Sequence, residues 1–209
     1  MNIDPQQIPR IDYPAPDPEK PYVYPDTQIL INHFGIGNAA VLQRVVNTVA
    51  GLRGDQLKSE PVAGAHDLNH LRAIHRVLFQ DIFAWAGQVR IVDTEKKGQD
   101  FVPAADIPDR FRRMHDGLKA ENFLRGLDPD EFANRLAHYW YEVYAVHVFR
   151  DGNSRTMRHF FAGLAAAAGY PLDFAAIEPM ALLVACRSRY FDGGTEALHN
   201  CLRQIISVV

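Results

Sequence analysis

Cysteine is nearly absent. Cys186 and Cys201 are the only two in 209 residues. They supply neither a disulfide framework nor metal-finger spacing, and read as small buried apolar residues in a reducing compartment. Basic charge is not in excess either. With Lys+Arg 22 against Asp+Glu 25, the formal net charge is −3, which argues against a general electrostatic grip on nucleic acid. Apolar runs are short, and a stretch such as "ALLVAC" falls far below the ~20 residues that cross a bilayer. The opening "MNIDPQQIPRIDYPAPDPEK" has no basic or apolar region of the kind that marks a secretory signal. These absences predict a soluble, cytoplasmic protein without direct nucleic-acid or membrane partners. Delivery into a host cell by a specialised export system would leave no such mark.

What is present is ordinary globular material, 47% hydrophobic and 22% charged. A chain of this length buries roughly 70% of the surface exposed when unfolded. Seven of the thirteen prolines fall in residues 1–25, so residues 1–23 are expected to form an extended tail. A single domain over 24–209 follows. From Asp26 onward the signals are helical, beginning with "TQILINHFG" and then the stripe Val41, Leu42, Val45, Val46 and Val49. "HDLNHLRAIHRVLFQDIFAWAG" continues the period through Leu71, Ile74, Leu78 and Ile82 to Gly87. Its histidines, His66, His70 and His75, lack a carboxylate cluster and read as ordinary surface or core residues. "QVRIVDTEKKGQDFVPA" alternates and turns at Lys97-Gly98, a β-hairpin reading. Residues 106–125 form another helix. Asp128, Pro129 and Glu131 then open a further one with buried face Phe132, Leu136, Trp140, Val143 and Tyr144. A helix from near Ser154 to Gly169 and two more segments complete an all-α reading with one hairpin.

Between two of these core helices lies "HVFRDGNSRTMR", residues 147–158, with one His, one Asp, one Asn and three Arg. Asn153 and Ser154 are good N-cap residues. A helix N-terminus offers unpaired N–H groups to an anion, and Gly152 lets a ligand approach the backbone. Arg155 and Arg158, three apart, present forked donors that match phosphate oxygens. His147 stands at the end of the preceding helix as a proton acceptor, and Asp151 supplies an oxygen ligand suited to Mg²⁺. On spacing alone, a polar interhelical loop with no ligand is the competing reading.

The stretch resembles the signature of the Fic family, H-P-F-x-[DE]-G-N-G-R-x-x-R. His147, Phe149, Asp151, Gly152, Asn153, Arg155 and Arg158 match it. "YPDTQILINHFGI", "LNHLRAIHRVLFQDIFAWAGQVR" and the hairpin ending "DFVP" resemble the family's upstream segments in order, so the likeness runs from about Tyr24 to Ile206. It implies a Fic-fold helical bundle with a hairpin flap. It also implies a protein adenylyltransferase that moves AMP from ATP to a hydroxyl side chain of a target protein, as a bacterial toxin or effector. In that scheme His147 is the general base and Asp151 holds Mg²⁺. Gly152 and Asn153 line the anion hole beside Ser154, Arg155 and Arg158 hold the outer phosphates, and Phe149 plugs the core. Val89, Arg90, Ile91 and Val92 belong to the flap that docks the target by strand addition.

The chain departs from the pattern at Val148, which stands for Pro, and at Ser154, which stands for Gly. A family branch with Lys at the latter position phosphorylates its target, so a Fic-fold kinase or other nucleotidyl or phosphate-group transferase, or a non-catalytic binding module, are the alternatives. The family's inhibitory motif, [ST]-x-x-x-E-[GN], is not met. "TVAGLR" from Thr48 lacks the Glu, and "SRYFDG" from Ser188 offers Asp192 instead. The resemblance therefore implies restraint by a separate small antitoxin protein.

Overall fold

The computed structural model describes residues 20–207, and the expected tail lies outside them as far as residue 19. The elements run α1 (Ala39–Ser59), α2 (Leu68–Phe79), β1 (Glu95–Lys96), β2 (Gln99–Asp100), α3 (Ile107–Ala120), α4 (Pro129–Val146), α5 (Asn153–Ala167), α6 (Ala181–Asp192) and α7 (Glu196–Ile205). The described residues thus form an all-α fold with one antiparallel hairpin, as the periodicities predict.

Side-chain caps set the starts of several helices. The Asn38 carboxamide accepts the Val41 N–H at 3.0 Å, opening α1. Asp67 accepts from His70 N at 2.8 Å, opening α2. Asp128 accepts from both Asp130 N and Glu131 N at 3.0 Å, with Pro129 in the first helical position. The predicted face of α4, from Phe132 through Leu136, Trp140, Val143 and Tyr144, is buried throughout. It meets α3, α5 and α7, while α2 packs on α1 and α5. The long α4 and α5 thereby become the rigid walls on either side of their connecting loop.

Three local readings are corrected. "TQILINHFG" is not a helix, because Val23 and Leu30 pair as an isolated antiparallel bridge. The buried Asn32 amide donates to Leu30 O and Ile36 O at 3.0 Å each, and its oxygen accepts from Phe34 N and Ile36 N. A side chain that substitutes for the backbone's own partners holds a loop where helix periodicity alone suggests a helix. Tyr22 and Val23 are buried with this segment, so the packed fold begins before the expected boundary at residues 23/24. The second correction is that α2 stops at Phe79 rather than running to Gly87, although Ile82 is buried as expected. The third concerns the hairpin. Its turn is at Lys97-Gly98, but the paired strands are 95–96 and 99–100, with Glu95 opposite Asp100. Val89–Val92 lie outside it. The helix expected over 106–125 is α3 followed by a single 3₁₀ turn at Asn122–Leu124.

Candidate active site

Helix α4 ends on His147, whose backbone is left-handed at φ 47°. Five residues later Gly152, at φ 80°, leads into α5. A Cβ on Gly152 would lie 2.4 Å from the Phe79 ring, so both the backbone angle and the close approach of α2 demand glycine. Phe149 is fully buried between these helices, as a core plug should be. Asn153 closes the loop on itself. Its Oδ1 accepts from Phe149 N at 3.0 Å and its Nδ2 donates to Phe149 O at 2.7 Å. The capping expectation is therefore corrected. The cap position belongs to Gly152, which makes no side-chain capping bond. Asn153 staples the loop instead, and Ser154 is exposed in the first turn of α5.

The segment Asp151–Arg155 lines a cavity of ≈ 200 Å³ together with His147, Lys96 and Gln43. The His147 ring stacks on Phe101, with centroids 3.9 Å apart. It is buried, and neither ring nitrogen has a partner among the described residues. Loss of hydration, reinforced by the positive charges of Lys96, Arg90 and Arg150, holds its pKa well below the usual imidazole value. The ring is accordingly neutral at pH 7, with a lone pair available to accept a proton.

The two signature arginines part company. Arg155 lines the His147 cavity and donates to the Asn47 carboxamide of α1. Arg158 does not reach that cavity. Its guanidinium donates to Pro179 O at 2.6 Å and lies over the Phe174 ring at 5.3 Å. The two meet in an adjoining cavity of ≈ 420 Å³, which Asn47, Lys58 and His159 also line. Met157, between the two arginines, is buried.

The expected flap segment is inverted. Alternation in Val89–Val92 implies apolar Val89 and Ile91 inward and Arg90 outward. Instead Ile91 is 73% exposed and Arg90 only 1%. The cause is the end of α4, whose last carbonyls have no helical partner. Arg90 Nε donates to His147 O at 2.8 Å, Nη1 to Val92 O at 2.7 Å, and Nη2 to Val146 O at 3.3 Å and to Val102 O. Arg90 N also donates to Val148 O at 3.0 Å, and Val102 N to Ala145 O at 3.1 Å. Arg90 is thus a buried clamp under His147.

Asp192 is no partner for Arg158. It accepts from Ser188 Oγ at 2.8 Å on the exposed face of α6. No group of three His, Cys, Asp or Glu among the described residues could hold a metal ion. Both cysteines are free thiols, and burial pushes Cys186 up to about 12. Sequence reasoning missed Lys96 and Gln43, which enter the cavity from outside the signature, and His75, buried against Phe149. None carries a spacing signal that would separate it from an ordinary surface or core residue.

The Fic/DOC family model matches residues 65–165. Protein adenylyltransferase VbhT of Bartonella schoenbuchensis is 35% identical over 88% of this chain, which spans 38% of that protein's length. The "Probable protein adenylyltransferase Fic" of Escherichia coli K12 is 36% identical over 90% of this chain and 92% of its own. Among solved structures, the BepC protein of Bartonella tribocorum, a VirB-translocated effector with bound AMPPNP, gives a TM-score of 0.85. Its identity is 27%, over 90% of this chain and 97% of that one. The N-terminal Fic domain of a Bartonella quintana Bep effector with bound ADP gives 0.86 at 28% identity, over 90% and 94%. Matching signature, matching fold and a relative 36% identical over 92% of its own length agree: this chain belongs to the Fic/DOC family.

Proposed function

We propose that the chain is a protein adenylyltransferase, moving AMP from ATP to a hydroxyl side chain of a target protein. The observation that carries this is the neutral, partnerless His147 ring in the same cavity as the N-terminus of α5. His147 accepts the proton of the target hydroxyl as that oxygen attacks the α-phosphorus. The bond from the α-phosphorus to its bridging oxygen breaks, and pyrophosphate leaves. Transfer of this kind is mainly positioning and charge stabilisation. Gly152 and the first turn of α5 present N–H groups to the phosphates, Arg155 adds charge at the cavity wall, and Arg158 serves the outer phosphates from the adjoining cavity. The relatives named for this activity, and those with nucleotide bound, support the reading.

Mg²⁺ fits the residues present. One carboxylate, Asp151, faces the cavity, and Mg²⁺ is commonly held by one or two carboxylates plus phosphate oxygens and water. Bound there it would neutralise charge on the phosphates. The target segment docks along the exposed edge of the β1–β2 hairpin, next to exposed Ile91, by adding a strand. Likeness to translocated effectors supports a toxin or effector role, and a cytoplasmic site of action fits the absence, among described residues, of any helix able to span a membrane. Asp192, bound to Ser188 and not to Arg158, favours restraint by a separate small antitoxin protein over an internal one.

Incubation with a bacterial lysate and labelled ATP tests this. Label entering protein from the α-position alone is expected. Entry from the γ-position would make the protein a kinase, and no entry from either a binding module.

A further inference from the structure

His75 lies on α2, 72 residues before the base, and outside the signature. It is fully buried. Its ring stacks on Phe149 with centroids 3.8 Å apart and planes 22° apart. Nδ1 accepts the Gly87 N–H at 2.8 Å, which leaves the ring proton on Nε2. Nε2 lies 3.1 Å from Asp151 O and donates to it. Both ring nitrogens are therefore fixed, and burial keeps the ring neutral with a pKa of about 4.

The Asp151 carbonyl is half of the peptide that joins the Asp151 carboxylate to Gly152. In a trans peptide the carbonyl and the following N–H lie in one plane and point in opposite directions. Drawing Asp151 O toward α2 turns the Gly152 N–H away from α2. The next peptide is held as firmly, because Gly152 O accepts from Thr156 N at 3.1 Å and from Thr156 Oγ1 at 3.0 Å. Phe79 packs so closely that no side chain could stand at Gly152. Every constraint around this peptide comes from the protein side and leaves its N–H the cavity side.

We propose that His75 is a positioning residue for the reaction: through its hydrogen bond to Asp151 O it aims the Gly152 N–H into the cavity, where that group meets phosphate. The inference rests on the proposed phosphate site, deepening it with a residue the signature does not contain. His75 touches no substrate and acts only through the peptide.

The substitutions separate its two bonds. His75→Phe keeps the stacking ring and loses both nitrogens. His75→Asn places an acceptor near the Nδ1 position and no donor near Nε2. His75→Gln places an amide donor near Nε2. Nuclear magnetic resonance of the ¹⁵N-labelled chain reads the Gly152 amide directly, with inorganic pyrophosphate as probe. The wild-type resonance is expected to shift on titration, His75→Gln to keep most of that shift, and His75→Phe and His75→Asn to lose it. In parallel, AMP transfer should fall on the order of 10–100-fold in kcat for Phe and Asn, with the KM for ATP little changed. An unresponsive Gly152 amide in the wild type, or an equal response in His75→Phe, overturns the proposal. Equal deficits in Gln and Phe also overturn it, because they reduce His75 to packing. A wild-type protein that transfers no label would overturn the functional reading alone, and the amide comparison would still decide His75.

Discussion

Replacing Arg90 with Met keeps an unbranched buried side chain but strips four backbone carbonyls of their donor: His147 O, Val92 O, Val102 O and Val146 O. Leaving a buried acceptor unsatisfied costs about 1–3 kcal/mol. Relief from burying the charge itself offsets part of this, since the nearest carboxylate, Asp93, is exposed and 3.9 Å away. The net loss should be about 3 kcal/mol, a large share of the roughly 5–15 kcal/mol that stabilises a domain. It should lower Tm by about 6–12 °C, taking ~2–4 °C per kcal/mol for a chain of this size. Urea denaturation should give a lower midpoint at unchanged slope. Arg90→Lys should recover only part, because one ammonium cannot reach four acceptors arranged for a planar fork. AMP transfer by Arg90→Met, assayed well below its Tm, should fall by more than the folded fraction does, since His147 sits on the freed carbonyl. A Met variant with wild-type midpoint and full activity would refute the clamp.

Three further outcomes follow from the same geometry. His147→Ala should cut transfer by on the order of 10² or more, while calorimetric ATP binding and Tm stay near wild type; retained transfer would remove His147 as the base. Folding stability should fall with acid, because buried His75 and His147 and half-buried His66 have folded pKa values below their unfolded one. The unfolded chain then binds more protons between pH 6.5 and about 4, and that stability is lost as pH drops through this window. His75 alone contributes on the order of 3 kcal/mol, and a Tm that is flat from pH 7 to 4.5 would contradict it. Asp192→Ala should leave the transfer rate unchanged, and a large activation would make "SRYFDG" an internal inhibitor.

Much of the site was readable because its residues lie within twelve consecutive positions. A turn between two strongly periodic helices could place His147, Asp151, Gly152 and Arg155 nowhere but together. The Asp128 start and the buried face of α4 were equally legible, being set by local capping and period. Long-range partners decided the remainder. Asn32 looks like any polar residue in a helical stripe until its amide is seen holding four backbone groups. Arg90 violates strand alternation because helix α4, 57 residues later, ends over it. Arg158 follows the signature in spacing, yet Pro179 and Phe174 draw its head toward a neighbouring cavity. His75 differs from His70 only in what lies opposite, which no spacing encodes.

The left-handed ending of α4 on His147 has one consequence for turnover. A helix C-terminus ordinarily favours a protonated imidazole, because the unpaired carbonyls present negative charge to it. Here the Arg90 guanidinium occupies those carbonyls, and its charge adds to burial and to Lys96 in pushing the His147 proton affinity down. The terminus that would trap a proton is thereby turned into one that releases it. If His147 is the base of the proposed reaction, it would return the proton it has taken to solvent or to the departing pyrophosphate and be neutral again for the next target. In the proposed reaction, the guanidinium that holds the His147 carbonyl thus also helps return the ring to its neutral form.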